Sequence, residues 1–204
     1  MTPKPPGSVR IIAGRWRNSR LDVADAAGLR PTSERVRETV FNWLQPRLPG
    51  ARCLDLFAGS GALGLEAASR GAAQVLLIER DPRLVQRLRA SVERLNATQV
   101  RVLGADANAW LASASASEPF DIVFVDPPFA LDLWNRTLAS LAPVLASDAR
   151  VYVEASPDAA IAVPVGWSLL REGRTREVRY ALYAVGAQAP ATLTTGQGNQ
   201  RDIP

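Results

Sequence analysis

The sequence predicts an α/β fold built on a mostly parallel sheet, and three observations carry that prediction. Five short apolar runs, RCLDLF (52–57), QVLLIE (74–79), VRVLGA (100–105), DIVFVD (121–126) and RVYVEA (150–155), alternate with helix-type segments at 61–70, 82–95, 107–113 and 131–146. The runs are continuously apolar, as strands covered on both faces by helices are. A glycine-rich turn, Gly59-x-Gly61-x-x-Gly64, joins the first run to the helix that follows it.

Two further β-type runs in WSLLREGRTREVRYALYAV (167–185), joined by Gly173-Arg174-Thr175, predict an antiparallel hairpin closing one edge of a seven-stranded sheet. Ahead of the sheet, SVRIIAGRWRNSRLDV (8–23) has two short β-type stretches around Gly14 and the turn residues Asn18 and Ser19, and reads as a hairpin or an irregular β segment. RPTSERVRETVFNWL (30–44) reads as a helix capped by Thr32 or Ser33. Its apolar stripe is Val36, Val40, Trp43 and Leu44, with Arg35 and Arg37 away from the centre of the stripe. Pro46 and Pro49-Gly50 end it. The chain thus divides into a disordered N-terminus (1–7), a basic hairpin-and-helix extension (8–50), a core domain (51–185) and a disordered tail (186–204) without apolar periodicity. ASASASE (112–118) reads as a surface linker.

Composition narrows the chemistry. The 204 residues are 47% hydrophobic, enough for a sizeable core. There is no apolar run of the roughly 20 residues that would span a membrane, and MTPKPPGSVR is not a secretory signal. A lone cysteine, Cys53, fits a cytoplasmic protein. With no histidine, Ser–His–Asp and Cys–His catalysis are excluded, and no metal site is expected. Residues 1–40 hold eight basic residues against four acidic ones, a surplus equal to the net charge of +4 of the whole chain. A basic end on a neutral body fits an anionic partner such as nucleic acid, and equally a solvated arginine-rich surface.

The glycine turn and the acids after it point to a nucleoside-bearing cofactor. Glu79 ends the second run, where a carboxylate can accept both hydroxyls of a ribose. Asp106 follows the third run in the same relative place, within reach of an adenine amino group. Asp55 lies four residues before Gly59. It would repel a pyrophosphate but suits an ammonium or sulfonium, so the loop favours S-adenosylmethionine over NAD. The fourth run ends in Asp126-Pro127-Pro128-Phe129. The prolines lack N–H groups and have fixed φ, so the segment is stiff and presents only acceptors. Asp126 and the Pro127 carbonyl can take the two N–H bonds of an exocyclic base amine, and Phe129 can stack on a flipped base. Methyl transfer to such a nitrogen needs no imidazole, because the proton leaves after the nitrogen becomes cationic.

VRIIAGRWRNSRL, RPTSERVRETVFNWL, LDLFAGSGALGLEA, IERD and VFVDPPF, in that order and spacing, resemble the RsmD family of bacterial 16S rRNA (guanine-966-N2)-methyltransferases, over roughly residues 8–185. The resemblance implies a Rossmann-like class I S-adenosylmethionine-dependent methyltransferase, with no metal. It implies 16S rRNA in the 30S subunit or an assembly intermediate as partner, and a cytoplasmic enzyme expected to act as a monomer. On that basis Asp55, Phe57, Gly59, Ser60, Gly61, Glu79, Arg80, Asp106 and Ala107 match the donor site, and Asp126, Pro127, Pro128 and Phe129 the catalytic motif. Arg10, Arg15 and Arg17 match basic residues that hold rRNA phosphates; Arg30, Thr32 and Arg35 match a helix near the substrate entrance. Adenine-N6 methylation of RNA or DNA is the alternative, because DPPF alone does not choose between the bases.

Overall fold

A computed structural model describes residues 7–22, 33–114 and 118–186 of the chain. The expected disordered ends, apart from Gly7 and Gly186, lie outside the described residues, as do Arg30, Thr32 and the middle of the ASASASE linker.

Strands β3 (Arg52–Asp55), β4 (Gln74–Glu79), β5 (Val100–Gly104), β6 (Phe120–Val125), β7 (Leu145–Ala155), β8 (Trp167–Arg174) and β9 (Arg179–Val185) form one sheet in the order β5-β4-β3-β6-β7-β9-β8. Only β9 runs against its neighbours, slotted between β7 and β8. The expected hairpin therefore closes the edge with its first strand outermost. Its turn falls at 175–178, one step later than Gly173-Arg174-Thr175 suggests, because Thr175 Oγ1 accepts the backbone N–H groups of Glu177 and Val178.

Helices cover both faces. Helix α1 (Glu34–Leu44), α2 (Gly64–Ser69) and α3 (Pro82–Arg94) lie on one, and α4 (Ala107–Ser113) and α5 (Trp134–Ala139) on the other. Alternation along each strand divides the core. Cys53, Ile122, Phe124 and Tyr152 join α1, while Leu54, Val123, Val125, Val151 and Val153 join α4 and α5. Chain order reverses between β3 and β6, so a crevice opens at the carboxyl ends of those two strands.

Ser33 caps α1, its Oγ accepting the Val36 N–H at 3.3 Å. Val36, Val40, Phe41 and Leu44 are buried, and Trp43 stacks on Tyr180 with ring centroids 5.6 Å apart. Two expectations are corrected here. Arg37, which lies away from the centre of the apolar stripe, is not at the surface but 1% exposed. Its Nη2 donates to the Arg10 carbonyl at 2.9 Å and its Nη1 lies 3.7 Å from the buried Glu66 carboxylate. The single helix expected at 131–146 is instead the short α5, a 3₁₀ turn at Ala142–Val144 opened by Pro143, and a β7 that starts at Leu145.

The extension begins as the expected hairpin, β1 (Ser8–Arg10) against β2 (Arg20–Asp22). The loop between them is fastened to α2. Glu66 accepts the N–H groups of Ile12 at 2.7 Å and Ala13 at 3.0 Å, and Arg70 Nε at 2.6 Å. Ser69 Oγ accepts the Trp16 N–H at 3.0 Å and donates to the Ala13 carbonyl at 2.6 Å. A fully buried carboxylate is tolerable here because donors replace its lost water.

Candidate functional site

The crevice is a cavity of about 660 Å³, and the ends of β3, β4, β6 and β7 each contribute a carboxylate to its walls. The volume lies within the range of about 300–1,000 Å³ usual for small-molecule sites. The β3–α2 turn forms its floor. Gly59 and Gly61 have φ of +54° and +80°, which only glycine adopts freely. Gly64 allows α2 to press on the sheet: a Cβ there would lie 2.2 Å from Leu77 Cδ2.

The turn fixes the acids. Glu79 accepts the Gly59 N–H at 2.9 Å on Oε2 and the Asp81 N–H at 2.9 Å on Oε1. Asp55 is 2% exposed and accepts the Gly64 N–H at 3.0 Å. Burial pushes its carboxyl up to about 7, against the opposing pull of the Gly64 and Phe57 N–H groups. Asp106 caps α4, with Oδ1 accepting the Ala109 N–H at 2.9 Å. Its second oxygen leaves it able to serve a ligand as well as the helix.

Across the cavity, Asp126, Pro127, Pro128 and Phe129 line the wall directly after β6. Phe129 is 38% exposed and packs on Trp134 with centroids 5.7 Å apart. Phe57, Ser60, Arg80 and Ala107 also reach the cavity, so all but one of the expected donor residues converge there. Gly61 is the exception. It sits behind the floor, where its N–H donates to the Ala58 carbonyl at 2.6 Å and its missing side chain makes room for Leu65 and Leu88.

Arg10, Arg15, Arg17 and Arg35 are exposed and lie outside the cavity. A groove of about 400 Å³ containing Arg10, Arg20 and Arg37 adjoins it, and Ser33 lines both. Sequence reasoning missed Ser33, Glu154 and the β8–β9 turn residues Thr175, Glu177 and Val178, all on the cavity wall. Glu154 had one available signal, an acid among the apolar residues of β7, but its meaning depends on which strand lies beside it.

Among the described residues, the charged side chains on the cavity wall are seven acids and one base, Arg80. That balance opposes a pyrophosphate and fits a phosphate-free cation such as S-adenosylmethionine. Among the described residues no cluster of metal-ligating side chains is present, and no helix is long and apolar enough to cross a membrane. Cys53 is buried and burial pushes its thiol up, so it is no nucleophile.

A glycine-turn sheet with acids at its strand ends and Asp-Pro-Pro-Phe across the crevice defines an S-adenosylmethionine-dependent methyltransferase. The chain belongs to the RsmD family: the family model described as Conserved hypothetical protein 95 matches residues 9–184. Ribosomal RNA small subunit methyltransferase D of Escherichia coli (strain K12) is 48% identical over 185 residues, covering 89% of this chain and 92% of that protein. The protein of that name from Haemophilus influenzae is 41% identical, covering 89% and 96%. The solved structure of Escherichia coli yhhF superposes with a TM-score of 0.80 at 44% identity, over 89% of this chain and 100% of that one. An RNA methyltransferase of Salinibacter ruber, solved in complex with S-adenosyl-L-homocysteine, shares the fold at 19% identity and a TM-score of 0.60, over 80% and 99% of the two chains.

Proposed function

We propose that the protein transfers the methyl group of S-adenosylmethionine to N2 of a guanine in small-subunit rRNA, position 966 being the expected site. The observation that carries this is one cavity with two chemically distinct sides: acids on a glycine turn, and a proline-stiffened acceptor motif opposite them.

The donor, when bound, supplies an electrophilic methyl on its sulfonium. Glu79 would hold its ribose with lone pairs left over from the Gly59 and Asp81 N–H bonds. Asp106 would meet the adenine amine, and Asp55 the α-ammonium, ionising as that cation arrives. Phe57, Gly59, Ser60, Arg80 and Ala107 complete the walls, and Gly61 shapes the turn from behind.

Asp126 and the Pro127 carbonyl accept the two N–H bonds of the guanine amine. This draws the nitrogen toward tetrahedral geometry and stabilises the positive charge as it grows. Pro127 and Pro128 keep the segment stiff, and Phe129 offers a ring face to a base turned out of its stack. The proton leaves an already cationic nitrogen, so a carboxylate suffices as acceptor.

Arg15, Arg17 and Arg35 would meet rRNA phosphates. Arg10 holds Glu34 at 2.8 Å with both side chains half exposed, a weak pairing that a phosphate can displace. Arg30 and Thr32, by the family resemblance, would act near the substrate entrance. The substrate is the 30S subunit or an assembly intermediate, met in the cytoplasm by a monomer.

The test is tritiated methyl transfer to small subunits lacking this modification, followed by digestion to nucleosides. N2-methylguanosine is the expected product. N6-methyladenosine, or no label, overturns the reading.

A further inference from the structure

Glu154 is 3% exposed yet lines the cavity. Strands β6 and β7 pair in parallel with Phe124 opposite Tyr152 and Val125 opposite Val153. One step further out, Asp126 and Glu154 stand side by side, on the sheet face that carries Phe124 and Tyr152. Glu154 is held firmly. The Tyr152 hydroxyl donates to its Oε2 at 2.5 Å, and the Trp134 indole N–H donates to its main-chain carbonyl at 2.8 Å. Tyr152 is itself fully buried and packs edge-on against Phe124. On the opposite face of this stretch of β7, Val151, Val153 and Ala155 pack against α4 and α5, while Glu154 shares its face with Tyr152. The carboxylate is thereby kept at the cavity wall, on the side where a bound base would meet it.

Guanine presents two donors side by side on its Watson–Crick edge, the N2 amine and N1–H. Adenine presents an amine beside an N1 lone pair. With the amine taken by Asp126 and the Pro127 carbonyl, the remaining difference between the bases is the polarity of N1. We infer that Glu154 is the residue that reads guanine, its carboxylate accepting N1–H of the base whose amine lies at Asp126. Against adenine the same carboxylate faces a lone pair, and that contact is repulsive. Tyr152 acts as a positioning residue, orienting the carboxylate through its hydroxyl. This assignment rests on the guanine-N2 reading above and supplies the base choice that DPPF lacks.

The test uses small subunits reconstituted with either guanine or 2-aminopurine at the nucleotide that wild-type enzyme methylates. 2-Aminopurine keeps the amine but has an acceptor at N1. Wild type should prefer guanine by about 10²-fold or more in kcat/KM, because a buried acceptor rejects a base that lacks the donor. Glu154→Gln can turn its amide N–H toward that acceptor and should shrink the preference at least about tenfold, with donor affinity unchanged by calorimetry. Tyr152→Phe should shrink it less, and serves as the test if Glu154→Gln does not fold. If both variants slow the two substrates by the same factor, Glu154 is only structural and the inference falls. Absence of N2-methylguanosine with wild type on the guanine particle would instead overturn the underlying reading.

Discussion

On the β3–β5 side of the cavity, the acids are held by backbone. Gly59 and Asp81 N–H groups fix Glu79, the Gly64 N–H fixes Asp55, and the Ala109 N–H fixes Asp106. On the β6–β7 side, Glu154 is held by a tyrosine hydroxyl, and Asp126 stands on a rigid proline pair. Backbone donors depend on the path of the chain, so the donor side is tied to its glycines but indifferent to many neighbouring side chains. Side-chain donors depend on one residue being present. The acceptor side can therefore change its substrate by a few substitutions while the donor side keeps the same ligand.

Three experiments sharpen that contrast. The largest effect is expected for Asp126→Ala, which removes the proposed acceptor for the charge that grows in the transition state. Methyl transfer should fall by about 10²–10³-fold or more, with donor affinity by calorimetry unchanged. A parallel loss of donor affinity would mean that the two sides are not separable.

The donor side is probed next through pH. The Asp55 carboxyl in the folded protein is raised to about 7, above the unfolded value of about 4. The folded state thus retains a proton that the unfolded state gives up. Stability of the free protein should fall as pH rises from about 4 through about 7. Binding a cationic donor requires the ionised form, so affinity should rise by up to about tenfold per pH unit below 7 and level off above it. Asp55→Asn should flatten both curves, measured by thermal melts and calorimetry from pH 5 to 8; an unchanged slope would remove Asp55 from the donor site.

The smallest effect belongs to the extension. Arg15 lies over the Trp16 ring at 5.7 Å and Arg17 is exposed, and neither lines the cavity. Arg15→Ala with Arg17→Ala should weaken rRNA binding several-fold and lower its salt slope by about one for each phosphate that is no longer neutralised. Donor binding should be untouched. A full salt slope in the double variant would show that these arginines only solubilise the chain.

Much of this was legible in the sequence because it is local. The glycine turn, the acids at the ends of apolar runs and DPPF are each written in one short stretch, and the run-to-run alternation fixed where they would meet. What stayed hidden depends on pairing. Arg37 looks like a surface residue until Glu66, 29 positions later, is packed against it. Glu154 reads as an odd acid in RVYVEA until β7 is laid beside β6 in register. The helix expected at 131–146 failed because its apolar residues serve three elements, and Pro143 starts a new one.

The fastening of the extension to α2 also sets an order of events during synthesis. Ile12 emerges 54 residues ahead of Glu66, and Trp16 emerges 53 ahead of Ser69, the groups that give its loop a shape. Until α2 has formed behind the glycine turn, the loop has its own turn hydrogen bonds but lacks the side-chain partners that fasten it to the core. A nascent chain thus anchors the loop that carries Arg15 and Arg17 only after the glycine turn and α2 exist, so the proposed rRNA contacts and the proposed donor site are completed together.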